Sequence, residues 1–269
     1  MRHDERDGGW TVPALRPREG GPATRFARWV NGPPAAVFLL ALLGGFVALA
    51  ALASLLGLLV THVLASGLGL SGPDNAFVRT LTEHRTGTLT DLSAVGSAVG
   101  GAPVLPILVA IIAVVCAIRR HWRIAVFAIF VLTAESATYR VSSMLVPRDR
   151  PHVHRLESLP ADASWPSGHT AASIAVYAGL ALLLTSAVRD RRLRIAAWTA
   201  AVLIPIFVAF SRMYRGMHHP MDVLGGALIG AGAILLLVFA CRAAGAAAAA
   251  RVGARRRQRT APSGMRLAR

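Results

Sequence analysis

Two short stretches hold most of the side chains in this sequence that could do chemistry. One reads Pro147, Arg148, Asp149, Arg150, Pro151 and closes with Trp165, Pro166, Ser167, Gly168, His169 and Thr170. The other runs from Ser211 and Arg212 through Met213, Tyr214, Arg215, Gly216, Met217, His218, His219, Pro220 and Met221 to Asp222. Pro166 and Ser167 stand ahead of an unbroken apolar run, which marks a helix N-terminus with Ser167 as a natural cap and Gly168 permitting close backbone approach. Unpaired N–H groups and the positive end of the helix dipole suit such a place to an anion. Taken alone, a Ser that only caps and a His that only sits at an interface is the commoner case. The second stretch weighs against it. Pro220 suits a first helical position, so Asp222 falls in the first turn, four residues after His218. A carboxylate at that spacing can hold an imidazole N–H, fix its tautomer and leave the other nitrogen free to attack. Arg212 offers a planar fork matched to phosphate oxygens. These parts suit phosphoryl transfer, where positioning and charge neutralisation dominate.

The two stretches lie over 40 residues apart, so the elements around them must bring them together. The chain has 269 residues, 54% of them hydrophobic and 16% charged, with no lysine, which is too apolar for an ordinary soluble domain. Stretches long enough to cross a hydrocarbon core of roughly 30 Å predict six spans. They cover about residues 35–70, 92–118, 124–146, 169–188, 195–210 and 223–240, the fifth being short and holding Pro205. An all-α six-helix membrane bundle is the expected architecture. With both termini cytoplasmic, 21 arginines fall on the inner side and seven on the outer, with Arg140 inside a span. Because translocated segments near spans are poor in Arg and Lys, this orientation is favoured, and it puts both chemical stretches at the outer face.

The formal charge of +16 comes mostly from those inner arginines and argues for anionic lipid heads rather than nucleic acid as its partner. Residues 1–34 read as a disordered cytoplasmic tail, 35–244 as the membrane domain, and 245–269 as a basic cytoplasmic tail. Cys116 and Cys241 end hydrophobic spans and read as packing residues. His152 and His154 read as a solvated loop pair, and His219 is left outside the site because its spacing to Asp222 is wrong. Glu135, inside the third span, reads as a structural partner for a loop arginine. Trp165 reads as an interfacial anchor. Gly226 and Gly230 form a small-xxx-small pair that favours close helix packing.

The motifs resemble the signature of the type 2 phosphatidic acid phosphatase family, membrane relatives of vanadium haloperoxidases. Its pattern is KxxxxxxRP, PSGH and SRxxxxxHxxxD. Residues 166–169 give the second block intact, and Ser211, Arg212, His218 and Asp222 give the third with both spacings. The first block, residues 143–151, keeps Arg150 and Pro151 but has Ser143 where the family has lysine. The resemblance covers about residues 90–240. It implies that His218 is the nucleophile forming a phosphohistidine, Asp222 its orienting carboxylate, and His169 the acid for the departing lipid oxygen. It also implies that Arg150, Ser167, Gly168 and Arg212 cradle the phosphoryl oxygens, with no metal or other cofactor. Arg148 and Arg140 are the candidates to replace the missing lysine charge. The function expected is hydrolysis of a lipid phosphate or diphosphate, such as phosphatidate, phosphatidylglycerol phosphate or polyprenyl diphosphate. Because of Ser143, a catalytically degenerate lipid-phosphate scaffold is the alternative, and a transporter a more distant one; six spans disfavour a haloperoxidase.

Overall fold

The computed structural model describes residues 12–158 and 163–260, and among them every regular element is helical. The main elements are α1 (Pro22–Val30), α2 (Pro34–Leu58, running on through a wider turn over Leu59–Gly67), α3 (Ser71–Glu83), α4 (Gly87–Val99), α5 (Val104–Ile118) and α6 (Trp122–Leu145). They continue as α7 (Gly168–Ser173), a second wide stretch over Ile174–Ala178, α8 (Gly179–Ala187), α9 (Arg191–Tyr214) and α10 (Pro220–Thr260). Five segments are long and apolar enough to cross a membrane: Pro34–Gly67, Trp122–Leu145, Gly168–Ala187, Arg191–Tyr214 and Pro220–Arg255. The chain is an all-α, multi-pass membrane protein. On α2 the leucines and valines at 39, 43, 47, 52 and 55 are exposed, as a helix needs when its outer face meets hydrocarbon instead of water.

The expected span over residues 92–118 is broken. α4 and α5 meet at a 42° bend and make a sixth crossing only if taken together. Gly100, Gly101 and Pro103 occupy the break, where proline removes a ladder donor and glycine weakens the helix.

α10 is the axis of the bundle, packing on α1, α2, α6 and α7. Gly226 and Gly230 make the α7 contact possible: a Cβ on Gly226 would lie 2.4 Å from the Ser167 carbonyl oxygen, and one on Gly230 2.5 Å from that of Ala171. The main core joins Phe127 and Val131 of α6 with Ala175, Leu183, Ala233 and Leu237.

The described parts of both tails, residues 12–34 and 245–260, are helical or packed where a disordered and a basic tail were expected; residues 1–11 and 261–269 lie outside the described residues. Val12 and Leu15, from the segment read as disordered, are buried in that same core, and Pro13–Leu15 forms a short 3-10 turn. α1 follows, laying Ala23 and Ala27 on α10. Apolar burial outweighs the Pro- and Gly-rich composition that suggested disorder. At the other end α10 runs through Thr260, well past the expected boundary at residue 245, because its alanine run is a strong helix former.

Candidate active site

The bundle brings both chemical stretches to one end, where α7 begins, α9 ends and α10 begins. Asp222, fully buried in the first turn of α10, is the knot that ties them. Its Oδ2 accepts from Ser164 Oγ, from the His219 backbone N–H at 2.8 Å, and lies 3.1 Å from His219 Nδ1. Its Oδ1 stands 3.0 Å from Arg148 Nη1. Its backbone carbonyl accepts from Ser167 N at 2.9 Å, joining the two stretches directly. The carboxylate therefore holds His219, which the sequence reading left out, and not His218. The physical reason is local: α10 starts at Pro220, so His218 lies before the helix and the four-residue spacing is not a helical turn.

His218 is held differently. Its Nδ1 lies 2.8 Å from the carbonyl oxygen of Ser164, whose hydroxyl is on Asp222. A carbonyl can only accept, so Nδ1 carries the proton and Nε2 keeps the lone pair. The residue is 3% exposed. Burial, and then the charge of Arg212, push its pKa well below the ordinary value of 6.5, with Asp222 opposing and Arg150 and His169 adding. The resting imidazole is neutral, with an unprotonated Nε2.

Two arginines flank it. Arg150 donates from Nη1 to the Met217 carbonyl at 2.6 Å, next to His218. Arg212, fully buried at the end of α9, gives Nη1 to Ser97 Oγ and to Glu157 Oε2. Its Nε and Nη2 are buried without a hydrogen-bond partner. Glu157 also takes Arg215 Nε and the Ser97 hydroxyl on its Oε1. Burial works against the ionised Glu157, but the charge and hydrogen bond of Arg212, with the hydrogen bonds of Ser97 and Arg215, hold its carboxyl down at about 2.

His169 stands one residue into α7. A Cβ on Gly101 would be 2.6 Å from its Nε2, so the glycine break between α4 and α5 makes room for this ring. Ser167 is the residue before α7, as expected, yet its hydroxyl bonds Thr170 Oγ1 at 3.0 Å and does not cap the helix. Gly168 fits under the ring of Tyr139, 3.0 Å from where its Cβ would be.

Several assignments change. Arg148 pairs with Asp74 of α3 and with Asp222, so its charge is taken by carboxylates and does not replace the missing lysine. Arg140 is exposed on α6 and its carbonyl accepts from Ser143 Oγ. Glu135, 1% exposed, meets Ser136 Oγ and no arginine, and its Oε1 has no partner. Trp165, also 1% exposed, is a wedge between α2 and α10 and donates to the Ala53 carbonyl at 3.1 Å. Among the described residues, His152 and His154 gain no third metal-ligating neighbour. Sequence reasoning missed Asp74, Ser93, Ser97, Glu157 and Asn75, whose Oδ1 lies 3.2 Å from His219 Nε2. Ser93 and Ser97 do leave a trace, a polar pair at helical spacing in an apolar span; Glu157 leaves only an acid in an arginine-rich loop.

Residues 124–245 match the PAP2 superfamily. An undecaprenyl-diphosphatase of Sulfolobus acidocaldarius is 39% identical over 75 residues, 28% of this chain and 32% of that protein. The undecaprenyl-diphosphatase BcrC of Bacillus subtilis is 36% identical over 77 residues, 29% of this chain and 35% of that one. The matched stretch thus spans about a third of the length of these curated relatives. Among solved structures, a transmembrane PAP2-type phosphatidylglycerolphosphate phosphatase from Bacillus subtilis superposes with a TM-score of 0.59 at 24% identity, covering 76% of this chain and 93% of that one.

Proposed function

We propose, from the place of this chain in the PAP2 superfamily, that it is a membrane lipid phosphatase acting through a phosphohistidine on His218. One observation carries the reading: a neutral, buried imidazole with its Nε2 lone pair available, beside a buried arginine with two donors left unpaired. Buried donors without partners are costly, and a phosphoryl group that takes both Nε–H and Nη2–H of Arg212 relieves that cost.

In the reaction, the Nε2 lone pair of His218 attacks phosphorus and the bond from phosphorus to the leaving oxygen breaks. His169 donates the proton that the lipid oxygen needs as it departs, and then takes a proton from the water that cleaves the phosphohistidine. Arg150, Arg212 and the α7 start with Ser167 and Gly168 stabilise the oxygens through both steps. Asp222 works at one remove: it fixes Ser164, and the Ser164 carbonyl fixes the tautomer of His218. The scheme uses no cofactor.

The substrate class is a lipid phosphate or diphosphate, with undecaprenyl diphosphate first to test because two relatives bear that activity in their names. Arginine distribution supports cytoplasmic termini, an outward-facing site, and anionic lipid heads at the inner basic segments. The test is phosphate release by the detergent-purified protein from undecaprenyl diphosphate, phosphatidate and phosphatidylglycerol phosphate, with a chelator present. Release is expected to survive the chelator and to fall about a thousandfold or more in His218→Ala. No release from any of the three lipids sinks the enzyme reading in favour of a lipid-phosphate scaffold.

A further inference from the structure

Arg212 is built to be held from one side and used from the other. Its Nη1 is taken by Glu157 Oε2 and Ser97 Oγ, while Nε and Nη2, which form the other edge of the guanidinium, are buried and unpaired. Glu157 is itself clasped, its Oε1 receiving Arg215 Nε and the Ser97 hydroxyl. Arg215 is further anchored to Ser93 Oγ at 3.1 Å, and the backbone N–H of Leu156 donates to the Arg215 carbonyl at 3.1 Å. One carboxylate from the loop ahead of α7 thus ties the end of α9 to α4. Glu157 belongs to none of the three sequence motifs.

We propose that Glu157 is a positioning residue for phosphoryl transfer, with two effects. Its reach fixes Arg212 so that the Nε–Nη2 edge faces the phosphoryl group. Its negative charge offsets the cluster of Arg150, Arg212 and Arg215, so that the phosphate product leaves.

The inference rests on the phosphatase reading given above. Two substitutions separate the two effects. Glu157→Gln keeps the reach and loses the charge; Glu157→Asp keeps the charge and shortens the reach by one methylene. A carboxylate hydrogen-bonded to a guanidinium carries enough interaction energy that its loss is expected to change rate or affinity by about tenfold.

The experiment measures kcat, KM and the inhibition constant for inorganic phosphate on the full chain in detergent, using the best lipid substrate. In Glu157→Gln the inhibition constant for phosphate is expected to fall about tenfold, meaning tighter product binding, with a lower kcat. In Glu157→Asp kcat is expected to fall while the phosphate inhibition constant stays near that of the wild type. A fold-supporting role alone does not tighten phosphate binding. An unchanged inhibition constant in Glu157→Gln, or an equal shift in both variants, overturns the proposal. Ser97→Ala is a third arm, usable even if Glu157→Gln fails to fold. It removes a neutral bridge between the same two side chains and is expected to lower kcat, and unaltered kinetics there overturns the positioning half. Wild-type activity lost in His218→Ala but untouched by every change at Glu157 and Ser97 sinks this inference alone. An inactive wild type sinks the phosphatase reading instead.

Discussion

Under the proposed mechanism His218 attacks through its neutral ring, so the acid limb of activity would report that ring. Its pKa lies well below 6.5, through burial first and the charge of Arg212 second. Falling pH therefore leaves the imidazole uncharged past the point where an ordinary histidine protonates. The acid limb of kcat/KM assigned to this residue is expected below pH 6.5, and a limb above that value contradicts the assignment. Stability follows the same sign. The unfolded chain takes up a proton on His218 near pH 6.5 that the folded chain refuses, so stability is lost as pH drops below that value. Glu157 adds to this from the acid side, since its folded carboxyl at about 2 gives stability present above about pH 4.5 and lost as pH falls toward 2. Arg148 separates structure from chemistry. It faces two buried carboxylates, Asp74 and Asp222, and Arg148→Ala takes the guanidinium from both, leaving Asp222 only its hydrogen bonds from Ser164 and His219. A loss of roughly 3–5 kcal/mol is expected, read as a lowered unfolding temperature in detergent. Arg150→Ala, which removes the guanidinium that donates to the Met217 carbonyl beside His218, is expected to lower activity far more than Arg148→Ala does relative to its cost in stability.

Among the elements, α7 and α10 are the pair whose contact sets the site, and glycine makes that contact possible. A methyl group on Gly226 meets the Ser167 carbonyl oxygen at 2.4 Å, and backbone cannot swing aside as a side chain can. Gly226→Ala is therefore expected to cost about 1–3 kcal/mol and to shift the start of α7, lowering kcat more than Gly44→Ala, whose Cβ meets nothing within 4 Å. Equal activity of the two variants counts against the role given to this contact. The periodicity of α10 and its two glycines were legible in the sequence, because small residues at i and i+4 have one dominant meaning in an apolar helix. The beginnings of α7 and α10 were legible for a similar reason: proline and serine ahead of an apolar run have few other uses. The break between α4 and α5 was not, since hydropathy reads through Gly100 and Gly101 without registering a 42° turn. Nor were the ties of Asp222 to Ser164 and of Glu157 to Arg212. Each joins residues more than 50 positions apart, and hydrogen bonds across such a span leave no period to read.

At the level of the whole molecule, the N-terminal segment closes the end of the bundle opposite the site. Leu15 is fully buried against α6, α8 and α10, and the Ala14 carbonyl accepts from Arg242 Nε at 2.9 Å. Leu15→Ala is expected to cost about 2–5 kcal/mol of stability, although it lies at the far end of the bundle from His218. The same separation of ends gives the orientation a direct test. The residues flanking the site, 147–158 and 215–219, lie at one end of the spans, and Arg119, Arg120 and Arg191–Arg194 lie at the other. If arginine sorting governs insertion, the first group faces outward. Cys116 and Cys241 are the two native thiols, so a chain with both changed to alanine offers a silent background. On it, Ser158→Cys is expected to react with a membrane-impermeant maleimide in intact cells, and Arg191→Cys only after the membrane is opened; both positions are exposed. The reverse pattern places His218 and His169 toward the cytoplasm. In that case the proposed phosphatase would draw on lipid phosphates of the inner leaflet, with the arginine-rich ends at the outer one.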